Sequence, residues 1–80
     1  MPNLACYDQY LLGIADFRKS IVQKAPHVSS IKRDGGRFVV RLEKPDGRNI
    51  VTIKERSFVE GDDAEPWYTY GQNDAKLLVN

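Results

Sequence analysis

Arg37-Phe38-Val39-Val40-Arg41-Leu42-Glu43-Lys44-Pro45-Asp46-Gly47-Arg48-Asn49-Ile50-Val51-Thr52-Ile53 is the stretch that decides the fold. Phe38, Val40 and Leu42 alternate with Arg37, Val39, Arg41 and Glu43, the period of a strand with one buried face. Pro45-Asp46-Gly47 interrupts the run. Ile50-Val51-Thr52-Ile53 then resumes it, with Val51 and Ile53 expected to face inward. Upstream, Asp34-Gly35-Gly36 separates Ile31 from Phe38. Asp-Gly and Gly-Gly supply the positive φ that tight hairpin turns need. The pattern predicts an antiparallel meander over 29–33, 37–43 and 49–55, with Ser57-Phe58-Val59 as a continuation beyond a bulge.

On the N-terminal side the period changes. Tyr7, Tyr10, Leu11, Ile14, Phe17, Ile21 and Val22 recur at steps of three and four, one face of an amphipathic helix. Asn3 or Asp8 could cap its start. Pro26 disfavours helix at Ala25 and ends it there. Gly13 lies inside the helix, where it weakens it by about 0.5–1 kcal/mol relative to Ala and lets the sheet approach closely.

On the C-terminal side, Glu60-Gly61-Asp62-Asp63-Ala64-Glu65-Pro66 reads as an acidic loop. Trp67-Tyr68-Thr69-Tyr70 has the composition of a fourth strand. Lys76-Leu77-Leu78-Val79 reads as a last strand or a docked tail. The expected fold is α+β over residues 1–80 as a single domain. An N-terminal amphipathic helix packs on a three- to five-stranded antiparallel sheet in a meander.

Charge is sorted along the chain. Residues 1–17 hold two acids and no base, residues 18–56 hold eleven Lys or Arg against four acids, and residues 57–80 hold five acids and one Lys. The net charge of +1 conceals this split between a basic middle and an acidic tail. No run of about 18 apolar residues is present, so no membrane span or membrane partner is expected. The N-terminus lacks the basic and apolar segments of a signal peptide. Cys6 is the one cysteine, so the chain forms no internal disulfide, and a cytoplasmic location is expected.

Catalysis needs a nucleophile, a base and a group that stabilises developing charge. Cys6 and His27 lie at opposite ends of the predicted helix, roughly 30 Å apart at 1.5 Å per residue. No catalytic residue is assigned and no enzyme activity is expected. Glu60, Asp62, Asp63 and Glu65 lack the spacing of a calcium loop, and Gly35-Gly36 is a hairpin turn with no phosphate-loop context. No metal or cofactor is assigned.

Two surfaces remain as candidates. Asp62, Asp63, Glu65, Trp67, Tyr68 and Tyr70 would form a partner-facing edge, with carboxylates for steering and aromatics for affinity. Lys32, Arg33, Arg37, Arg41, Arg48 and Lys54 would form a basic sheet face able to follow a phosphate backbone.

Pro66-Trp67 before a late strand is similar to the Pro-Trp hairpin of cystatins. That family's Gln-x-Val-x-Gly hairpin has no counterpart here, and protease inhibition is not carried over. Ile31 to Ile53, with its two Gly turns, also resembles PepSY-type propeptide modules, which are usually exported.

The chain reads as a complete short gene product. The expected function is a small non-enzymatic protein-binding module, an inhibitor or adaptor that occupies a site on a larger macromolecule. Many such chains are phage-derived, with anti-CRISPR proteins as the concrete example. The expected partner is another protein or a protein–nucleic-acid complex, with a homodimer also open. The alternatives are a nucleic-acid-binding regulator, which is less favoured, and an oligomerising structural subunit.

Overall fold

The computed structural model describes residues 4–20 and 27–79. The order is α1 (Ala5–Ser20), β1 (Val28–Asp34), β2 (Arg37–Asp46), β3 (Asn49–Val59) and α2 (Glu65–Ala75), closed by a 3₁₀ turn at Lys76–Val79. The fold is α+β: helices pack on a three-stranded antiparallel meander, order β1-β2-β3.

Both hairpins close through two-residue loops, Gly35-Gly36 and Gly47-Arg48. In each loop the first residue is a Gly with φ of 64°. Positive φ at the first central position is the type II′ pattern, whose twist matches the flanking strands.

Phe38, Val40 and Leu42 of β2 and Phe58 of β3 face the helices and are buried with Cys6, Tyr10 and Ile14 of α1, Trp67 and Ala75 of α2, and Leu78. Phe38 and Phe58 stack at 5.2 Å, and Trp67 meets Phe58, Tyr10 and Tyr70 edge-on at 5.3–5.8 Å. Such pairs add about 0.5–1.5 kcal/mol each beyond the area they bury.

Three expectations are corrected. The predicted fourth strand, Trp67-Tyr68-Thr69-Tyr70, is helical. Pro66 stands in the first turn of α2, where a missing N–H costs nothing, and the Asp63 Oδ1 accepts from the Glu65 N–H at 3.0 Å. Trp67, Gly71, Asp74 and Ala75 are buried at helical spacing, so packing overrides the β preference of the aromatics. The Pro-Trp pair therefore opens a helix and the cystatin likeness does not hold. The final segment is the docked tail, not a strand, with Leu78 buried.

Second, Gly13 admits a helix, not the sheet. A Cβ there would sit 2.2 Å from the Tyr68 carbonyl oxygen, and a Cβ on Gly71 would sit 2.2 Å from the Tyr10 carbonyl oxygen. Cys6 lies by Asp62 and Asp63, Tyr10 by Trp67, and Gly13 by Gly71, so the two helices advance in parallel. Gln72 Nε2 donates to the Gly13 carbonyl at 2.6 Å across this seam.

Third, Val51 is exposed, not inward. The β2–β3 register shifts between Leu42 and Glu43, leaving Ile53 as the extra residue on β3. A bulge changes which side chains share a face and bends the strand. Ile53 itself packs against the core. The helix positions Ile21, Val22, Ala25 and Pro26, and the possible cap Asn3, lie outside the described residues.

Candidate interaction surfaces

Asp74 is 3% exposed and is the centre of a charged cluster beneath the helices. Arg56 of β3 donates to it through Nε at 2.7 Å and Nη2 at 2.9 Å, and the Tyr10 hydroxyl donates to Oδ2 at 2.7 Å. Arg56 also lies over the Tyr70 ring at 4.3 Å. Burial, with the Asp74 hydrogen bond and charge added, pushes the Tyr10 hydroxyl far above its ordinary value. The Asp74 hydrogen bond raises the Arg56 guanidinium further, against the opposing effect of burial. A carboxylate held by a bidentate guanidinium and a phenol has both oxygens engaged, and the geometry is that of a tie joining α1, β3 and α2. The helical spacing of Trp67, Gly71, Asp74 and Ala75 is the signal in the sequence that could have found this cluster.

The aromatic edge expected from sequence does not assemble. Trp67 is 5% exposed and lies in the core. Tyr70 packs partly against the core under Arg56. Tyr68 donates to Asp16 Oδ2 at 2.7 Å, which raises its hydroxyl pKa. On a helix, Tyr68 and Tyr70 are two residues apart and do not share a face.

The acidic residues remain at the surface but serve local structure. Asp62 Oδ2 accepts from the Val59 N–H at 2.9 Å, and Gly61 turns the chain at φ 95°. The Cys6 thiol points at the Asp62 and Asp63 carbonyls at 3.6 and 3.8 Å. Burial raises its pKa, with the two carboxylates adding to the effect. Glu65 is exposed at the start of α2.

The six basic candidates divide between surfaces. Pairing puts Arg33 opposite Phe38 and Lys54 opposite Leu42, on the helix side of the sheet. Arg33 covers the Phe38 ring at 5.6 Å. Lys32, Arg37 and Arg41 take the other side, where Arg41 is paired with Glu55 at 2.9 Å. Arg48 stands in the distal turn.

That other side of the sheet is open: no described element packs on it. Ser30 and Lys32, then Arg37, Val39, Arg41 and Glu43, then Glu55, Ser57 and Val59 share it, with Ser30 donating to Glu43 at 2.8 Å. Among the described residues no cluster of His, Cys, Asp and Glu could hold a metal ion. No described helix is long and apolar enough to cross a membrane. No family model matches the chain, and no match was found among curated proteins or solved structures.

Proposed function

We propose that this chain is a small binding module without catalytic chemistry, an inhibitor or adaptor that acts by occupying a site on a larger protein. The observation that carries this reading is the one-sided sheet. Both helices cover the Phe38–Phe58 face, and the opposite face is left to solvent with Val39 and Val59 among alternating charges. A mixed surface with a few aliphatic side chains and both signs of charge resembles a protein–protein rim and patch more than a phosphate track. On the open face Lys32, Arg37 and Arg41 are countered by Glu43 and Glu55. That balance weakens the nucleic-acid alternative, because affinity there follows the number of phosphates neutralised.

The test is capture from a nuclease-treated lysate, comparing wild type with Val39→Glu/Arg41→Glu and with Asp62→Lys/Asp63→Lys. A protein retained by wild type after nuclease and released by the open-face variant supports the reading. An association that disappears with nuclease favours the nucleic-acid regulator. A larger species of the pure chain in sedimentation, with no other protein retained, favours the oligomerising subunit.

A further inference from the structure

The β2–β3 hairpin continues past the rest of the sheet. β1 pairs with β2 as far as Val28 opposite Glu43, whereas β2 and β3 go on pairing to Asp46 opposite Asn49. Residues 44–51 are therefore a two-stranded ribbon, with no third strand paired beside it among the described residues. Pro45 fits there: it lies opposite Ile50, beyond the last β1 pair, so its missing N–H removes no bond to β1. The register shift at Leu42/Glu43 marks the base of the ribbon, where a bulge bends and twists the strand.

Ile50 and Val51 are consecutive, so they point to opposite faces. A strand lying on a core would bury one of them. Here both are exposed, Ile50 at 59% and Val51 at 41%. Single exposed aliphatics are ordinary on protein surfaces. A consecutive pair exposed on both faces of the ribbon is a different arrangement, because neither side chain is taken into the core. Cations surround the pair. Lys44 and Arg48 belong to the ribbon, against the carboxylate of Asp46, while Lys54 and Glu43 stand together at its base.

We propose that ribbon 44–51 is the element that enters the partner, an apolar cleft on a protein with an acidic rim. Ile50 and Val51 contact opposite walls of the cleft, and Lys44 and Arg48 meet carboxylates at its mouth. This rests on the protein-binding reading above and gives it a specific contact. A protein cleft fits better than a nucleic-acid groove for two reasons. Ile50 and Val51 are exposed aliphatics, which phosphate does not reward, and Asp46 flanks the turn where it would repel the backbone.

The experiment places a benzoylphenylalanine photo-crosslinker at Ile50, at Val39 on the open face or at Ala15 on α1, in the full chain in host lysate. The crosslinked species is identified and purified, and its affinity for uncrosslinked variants is measured by calorimetry. The expected result is a discrete protein joined through position 50, at a segment bearing Asp or Glu. Its affinity should fall at least tenfold for Ile50→Ser/Val51→Ser, as for a central interface contact. Arg48→Gln should flatten the salt dependence, and both variants should melt like wild type. A protein joined through position 39 alone, with Ile50→Ser/Val51→Ser binding within twofold of wild type, overturns the ribbon inference and leaves the broader reading standing. Adducts only to nucleic acid, only to a second copy of the chain, or to nothing at any position overturn both.

Discussion

The seam between α1 and α2 and the ribbon at 44–51 are opposites in how they use space. At the seam, Gly13 and Gly71 let backbone approach backbone, and an added methyl would collide with a carbonyl oxygen at 2.2 Å. At the ribbon, side chains on both faces stand in solvent. The difference shows where this small domain puts its stability and where it is free to vary. A seam built from backbone cannot adapt, since neither helix can shift without losing the Tyr10–Asp74 and Gln72–Gly13 bonds that cross it. The ribbon is held by its own ladder and tolerates any side chain that keeps the strand.

The largest expected effect comes from filling the seam. Gly71→Val should cost about 3 kcal/mol or more, the upper range for overpacking, because the obstacle is backbone and no side chain can swing aside. A chemical-denaturation curve as cooperative and as late as that of wild type would mean that the helices are not so close. Next comes the buried carboxylate. Asp74→Ala strands the Arg56 guanidinium and the Tyr10 hydroxyl, for a loss of about 3 kcal/mol. Tyr10→Phe removes one hydrogen bond to a charged group while keeping the ring, for about 1.5–3 kcal/mol. If the two variants prove equally stable in urea, Arg56 contributes nothing through this tie.

A smaller effect concerns pH. Burial, reinforced by the charge of Arg18, holds the His27 imidazole below its ordinary value of 6.5. Arg18 Nη1 lies 2.5 Å from its Nδ1. Below 6.5 the unfolded chain binds a proton that the folded chain resists, so stability falls as pH drops through 6.5 toward the folded value. His27→Gln should flatten the melting temperature over that window, and an unchanged slope would show that the group titrates alike in both states. At the bottom of the scale, Ile50→Ser should lie within about 0.5 kcal/mol of wild type. Arg41→Ala should cost no more than about 1 kcal/mol, since its partner Glu55 is exposed. A large loss at either position would mean that the open surfaces carry fold as well as contact.

The strands and α1 were legible because their signals are local. Phe38-Val39-Val40-Arg41-Leu42 alternates cleanly, and Gly35 and Gly47 take up the positive φ expected of them. Tyr10 and Ile14 carry the helical period of α1. α2 was misread because its β-favouring aromatics and its Pro mimic a strand boundary, while its packing is set by residues 59 positions away in α1. The same mistake supplied the aromatic binding edge, because strand alternation would have pushed one of Trp67 and Tyr68 outward. Val51 went wrong for another reason. The bulge at Ile53 and the end of the helix layer are properties of the assembled sheet, and alternation alone does not reveal where a strand outgrows its support. An open face follows from the element count, since one helix layer cannot cover both sides of a sheet. The ribbon was not legible, since alternation with Ile53 makes Val51 look like core in a sequence.

The glycine seam also sets the order in which the molecule can be completed. α1 leaves the ribosome first, but the groove it must fill belongs to α2, with Gly13 and Gln72 lying 59 residues apart. At about 5–20 residues per second, that interval lasts roughly 3–12 s, during which Tyr10 and Ile14 have no helix to meet. A meander can form in the meantime from neighbouring segments, whereas the helix pair closes the longest loop in the chain and joins late. The sheet can thus form before α1 has its partner helix, and the arrival of α2 completes the layer.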